Sequence, residues 1–176
     1  MPSKNKRMVR PTKKVIFIFC EGESEQEYAN FLKEEYSDVA SIQAPVLGLF
    51  DHAKRVFNAS VRYKNSIDVI DEIWFFFDTE EDAGVPWEQN KKILEKLKKL
   101  RKKPPIKVRL LMTKSCIEYW FLLHYKKTTI QIRSPSDKRQ VEDRLKREIQ
   151  TYEKGDRTSI FQIAENYLKA KENGAW

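Results

Sequence analysis

Two short apolar runs that each end abruptly in carboxylates constrain this chain most. Residues 15–20 read Val-Ile-Phe-Ile-Phe-Cys and lead into Glu21, Gly22 and Glu23. Residues 73–77 read Ile-Trp-Phe-Phe-Phe and lead into Asp78, Thr79, Glu80, Glu81 and Asp82. Unbroken runs of β-branched and aromatic side chains predict strands buried on both faces, as in parallel sheets. The acids then stand outside the carboxyl ends of those strands, where open α/β sheets bind their ligands. Like charges this close repel by about 1 kcal/mol per pair even in water. The cluster at 78–82 therefore points to a divalent cation such as Mg²⁺, with a solvated acidic loop as the bland alternative.

Not every acid needs that explanation. Ser24-Glu-Gln-Glu27 has the form of a capping box, which predicts a helix carrying Tyr28, Phe31, Leu32 and Tyr36 on one face. Glu27 is then assigned to the cap, and Glu23 and Glu25 to the favourable amino end of the helix dipole. Glu21 has no such role. It sits at the strand end, followed by a glycine that permits a sharp turn or a close approach. Asp78 and Glu80, two residues apart, reach one ion if the chain stays extended there.

Further along, residues 42–49 alternate weakly around Pro45 and predict an edge strand. Asp51 is expected to cap a helix running to about residue 65, with His52 exposed in its first turn. Pro86 opens a helix over 86–103 that buries Ile93, Leu94, Leu97 and Leu100. Around it lie Lys91, Lys92, Lys96, Lys98, Lys99, Arg101, Lys102 and Lys103, either as phosphate contacts or as a solvated outer face. A strand over 106–112 ends on Thr113, Lys114 and Ser115. Residues 117–125 are apolar on nearly every side, which predicts a buried helix or a homodimer contact. Glu118 inside that stretch needs a partner, either the metal site or Lys114, whereas His124 reads as an interior histidine with an accessory role at the site as the alternative. Two helices follow, over 137–152 and 159–171.

The 34 basic and 26 acidic residues leave a net charge of +8, which favours a polyanionic partner, nucleic acid first. Cys20 and Cys116 are too few for a disulfide framework and fit a reducing cytoplasm. No His or Cys stands at zinc-ligand spacing, no apolar run approaches a membrane span, and no glycine-rich phosphate loop is present. The expected organisation is a basic arm over 1–14, an α/β core over 15–125 and a helical extension over 126–176 packed on it.

The order of strand, Glu-Gly, helix, then strand and Asp-x-acid resembles the Toprim fold of topoisomerases, primases and related nucleases. Three segments, Phe19-Cys-Glu-Gly-Glu-Ser-Glu-Gln-Glu-Tyr28, Phe75-Phe-Phe-Asp-Thr-Glu-Glu81 and Ser115-Cys-Ile-Glu-Tyr-Trp-Phe-Leu-Leu-His-Tyr125, resemble the signatures of the RloB-like family. By that resemblance the fold is α/β, a mostly parallel sheet of about four strands flanked by helices, with C-terminal helices. The family is associated with bacterial restriction and anti-phage loci. Its members are held to be metal-dependent nucleases or to act beside an ATPase partner.

Carried over by position, the resemblance makes Glu21, Asp78 and Glu80 the catalytic and metal-binding set for Mg²⁺ or Mn²⁺. Glu21 is a ligand or the general acid/base of phosphodiester cleavage, with Glu118, His124 and Lys114 as accessory groups. Glu80 stands where the family usually has Asp, and Cys116 and Ile117 where it usually has Asn and Pro. A non-catalytic nucleic-acid-binding or ATPase-partner subunit with a degenerate site is the alternative. Phosphoryl or nucleotidyl transfer on a small nucleotide uses the same metal geometry and stays open.

Overall fold

The computed structural model describes residues 13–59, 69–79, 87–100, 104–114 and 116–174. Its centre is a five-stranded sheet in which each strand pair is parallel. β1 (Lys14–Cys20) lies between the edge segments β2 (Ala40–Ile42) and β3 (Val46–Leu47) on one side and β4 (Glu72–Thr79) on the other. β5 (Lys107–Lys114) pairs with the far side of β4. β2 and β3 both bond to β1, at Lys14 to Ile16 and at Phe19 to Cys20 respectively. They are one edge strand interrupted around Pro45, which has no N–H for the ladder.

The strand pattern explains the layering. Ile16, Ile18 and Cys20 of β1 and Phe76 of β4 enter one core, while Phe17, Phe19, Ile73, Phe75 and Phe77 enter the other. The first core is closed by α1 (Glu23–Glu35), α4 (Ile117–Leu123), α5 (Pro135–Glu148) and α6 (Arg157–Ala164). The second is closed by α2 (Phe50–Ala59) and α3 (Trp87–Lys98). α7 (Tyr167–Gly174) docks by Asn173 Nδ2, which donates to the Leu123 carbonyl at 2.7 Å. Each run predicted as buried on both faces is so, because helices cover both sides of the sheet.

This topology creates one switch point. The chain leaves β1 through α1 towards one edge, then returns through α2 to add β4 on the opposite side of β1. Right-handed crossovers in opposite directions place α1 on one face and α2 and α3 on the other, and open a crevice at the carboxyl ends of β1 and β4.

Several local expectations are corrected. Helix α1 starts at Glu23 behind an extended Gly22 (φ −128°, ψ 175°), so Ser24 is already inside its first turn and forms no capping box. Its Oγ instead accepts from Gly155 N at 3.1 Å. Asp51 is not a cap either, since the first bond of α2 runs from Ala53 N to Leu49 O at 2.9 Å. His52 is half-buried against Phe19, with ring centroids 6.2 Å apart. The region predicted as one helix over 159–171 is two, because a tight turn from Asn166 N to Ile163 O at 3.0 Å separates α6 from α7. Ser134 caps α5 with Pro135 at its first position, and Asp156 caps α6 by accepting from Ser159 N at 2.7 Å. The basic arm over 1–12, the helix end over 60–65, Pro86, and Arg101, Lys102 and Lys103 lie outside the described residues.

Candidate functional site at the carboxyl ends of β1 and β4

Glu21 follows β1 directly and extends its pairing, donating its own N–H to the Phe76 carbonyl at 3.0 Å. Its carboxylate then turns across the crevice, and Oε2 accepts the Asp78 N–H at 2.8 Å. Asp78 shares its side of β4 with Phe76, by strand alternation, so its carboxyl points to the face covered by α1 and α4. It lies in register with Thr113 of β5, whose hydroxyl donates to Asp78 Oδ1. The two acids singled out from separate strand ends are thus neighbours in space.

The site contains an acid that sequence reasoning assigned to the helix dipole. Glu25 is only 5% exposed and is turned inward by α1. Gly22 keeps room for it, since a Cβ there would stand 2.8 Å from Glu25 Oε2. Burial pushes the Glu25 carboxyl up to about 7, helped by Asp78, Glu21 and Glu118 and opposed by its own backbone N–H. Burial likewise raises Asp78 to about 6, with Glu21 and Glu118 adding to the rise and Thr113 and Lys138 opposing it. A legible signal existed: Glu25 precedes Tyr28 by three and Ala29 by four, which is the buried face of α1.

Glu118, in the first turn of α4, is 4% exposed and is brought to the same crevice. The side chain of Lys114, one of its expected partners, lies outside the described residues. Its Oε1 accepts from the Tyr152 hydroxyl at 3.1 Å and lies 3.1 Å from Lys154 Nζ. Both donors come from the connection between α5 and α6, where Gly155 also reaches Ser24. The C-terminal helices therefore complete the site. Nothing in the composition of residues 149–156 marks this in advance.

Other candidates fall elsewhere. His124 is fully buried, its Nδ1–H donating to the Trp120 carbonyl at 2.9 Å and its Nε2 accepting from the Tyr28 hydroxyl at 3.0 Å. Burial lowers it to about 4, so it is a neutral interior histidine. Cys20 and Cys116 are pushed up to about 12 by burial, and the neighbouring Glu25 and Glu118 add to it, so neither is a thiolate. Lys91 and Lys98 are exposed and paired with Glu88 and Glu95 of their own helix, at 2.6 and 2.8 Å. Lys92 is exposed on the same helix, and Lys99 is exposed in the turn that follows it. Lys98 shares a surface groove with Pro105, Lys107 and Arg109, at the amino end of β5 and away from Asp78. Glu80, Glu81, Asp82 and the Lys114 side chain lie outside the described residues.

Oxygen donors alone, crowded together and short of positive charge, suit Mg²⁺ or Mn²⁺ better than softer metals. Burial foremost, with neighbouring acids adding to it, raises these carboxyls, and a divalent cation would favour their ionised forms. Among the described residues no three His, Cys, Asp or Glu side chains are arranged to hold a metal ion by themselves. Water and Glu80, which lies outside the described residues, would have to supply the remaining positions.

Neither curated proteins nor solved structures give a match to this chain. A family model described as RloB-like protein matches residues 16–175, from the second residue within β1's apolar run to beyond α7. The match includes the crevice acids and the C-terminal connection that supports Glu118. The chain belongs to the RloB-like protein family.

Proposed function

We propose that the protein is a Mg²⁺- or Mn²⁺-dependent nuclease of the Toprim type, cleaving phosphodiester bonds of DNA or RNA in restriction-associated, anti-phage defence. One observation carries this reading. Carboxylates from the ends of adjacent parallel strands, Glu21 and Asp78, meet at the switch point with the buried Glu25 beside them. A divalent cation there supplies Lewis-acid polarisation of the phosphate and a more acidic water. Asp78 and Glu80 are the residues to hold it, with Glu21 as a further ligand or as the acid/base.

The protein's own groups then have distinct tasks. Thr113 and the Asp78 N–H fix the two strand-end carboxylates, by bonds to Asp78 Oδ1 and Glu21 Oε2. Glu25, titrating near neutrality, is placed to take the proton lost when water forms its bond to phosphorus. The ester P–O bond breaks, and the departing oxygen takes up a proton from solvent water. The test is cleavage of plasmid and RNA with Mn²⁺: wild type should cut, while Glu21→Gln and Asp78→Asn should lose at least about 100-fold in rate. Undiminished cutting by both variants would place the chemistry elsewhere.

Glu80 in place of the family's usual Asp favours a second reading, a nucleic-acid-binding or ATPase-partner subunit with a degenerate site. Calorimetry separates the two. No heat of binding at millimolar Mg²⁺ or Mn²⁺, together with salt-sensitive nucleic-acid binding, supports the second.

A further inference from the structure

We propose that Lys154, from the C-terminal helical layer, holds the substrate's phosphates over the carboxylate crevice. This rests on the nucleic-acid reading above. Lys154 Nζ stands 3.1 Å from Glu118 Oε1 and 3.7 Å from Glu142 Oε2, while its side chain keeps 61% of its surface open to solvent. The backbone carrying it is fixed on both sides. Tyr152 is 2% exposed with its hydroxyl on Glu118, and Gly155, at φ +72°, donates its N–H to Ser24 Oγ.

A polyanion approaching a crevice of carboxylates needs positive charge at the rim, and among the described residues Lys154 stands there, 3.1 Å from Glu118. The basic helix α3 is less suited. It is 12 residues long, about 18 Å, and packs on the opposite face of the sheet. Its carboxyl end meets the amino end of β5, so Lys98 and Lys99 sit far from Asp78. Lys154 also has a bland explanation, neutralising buried Glu118, and the experiment is built to separate the two.

Full-length protein is titrated with a short fluorescein-labelled duplex DNA and a single-stranded RNA in Ca²⁺ without Mg²⁺ or Mn²⁺, reading anisotropy across a salt series. Lys154→Met should weaken binding several-fold and lower the salt slope by about 1, whereas Lys98→Gln/Lys99→Gln should leave both unchanged. Lys154→Arg should bind like wild type. Because Lys154→Met strands a buried carboxylate, the pair Glu118→Gln/Lys154→Met is measured too, and it should regain thermal stability while still binding weakly. Recovery of binding along with stability, loss through the Lys98/Lys99 variant instead, or absence of binding by wild type overturns the proposal. Wild type that binds through Lys154 but never cuts with Mn²⁺ leaves it standing and removes the nuclease reading alone.

Discussion

Glu25 and Asp78 hold protons well above the ordinary carboxylate range because each is buried among other acids. Their folded values, about 7 and about 6, lie above the ordinary 4.5 and 3.8, so the folded state binds more protons than the unfolded one in between. The stabilisation is complete below the ordinary values and is lost as pH rises through 6 and 7. Metal-free protein should therefore melt roughly 5 °C lower at pH 8 than at pH 5, and Glu25→Gln should flatten that slope. Added Mn²⁺ should raise Tm more at the higher pH, where the carboxylates are ionised. A slope unchanged in Glu25→Gln would assign the titration to other groups. At this scale the sequence exposed Glu21 and Asp78, since strand ends announce themselves by an abrupt change of polarity. Glu25 went unassigned to the site because the helix dipole offered a local account of it, although its spacing to Tyr28 and Ala29 put it on the buried face.

Among the elements, the strands were the most legible, because burial on both faces leaves continuous apolar runs with sharp ends. The break between α6 and α7 was not. Ala164, Glu165 and Asn166 include no glycine or proline, and only packing onto α1 and α4 decides where α6 stops. The role of the C-terminal layer was equally hidden, since the long-range contact from Tyr152 to Glu118 has no local signature. Leu145 of α5 is fully buried in the same core as Ile18, Tyr28 and Phe121. Leu145→Ala should cost about 2–5 kcal/mol and leave a single cooperative unfolding transition. Two separated transitions in denaturant would show that the layer folds apart from the sheet. Tyr152→Phe removes one donor from Glu118 and should cost about 1–2 kcal/mol, lowering Tm by roughly 2–8 °C, and should lower kcat at temperatures where the variant is still folded.

Across the described residues of the whole molecule, two buried charge centres lie at opposite ends of one sheet. At the amino end of β4, Glu72 is 3% exposed and paired with Arg109, Trp74 and Lys14. Arg109 foremost, with Trp74 and Lys14, holds the Glu72 carboxyl down to about 2 against burial. That contribution is present above pH 4.5 and fades as pH falls towards 2, so Glu72→Gln should destabilise the protein at pH 5 and lose its effect in strong acid. Equal loss at both pH values would deny the pairing its electrostatic role. The amino end is thus neutralised by the chain itself, while the carboxyl end keeps acids in excess, which is the asymmetry expected of a metal-dependent site. A crystal soaked in Mn²⁺ and recorded for its anomalous signal tests that claim most directly. We expect a peak at about 2.1–2.2 Å from carboxylate oxygens of Asp78 and Glu21; a crystal with Mn²⁺ bound only elsewhere, or with no peak in the crevice, would contradict it.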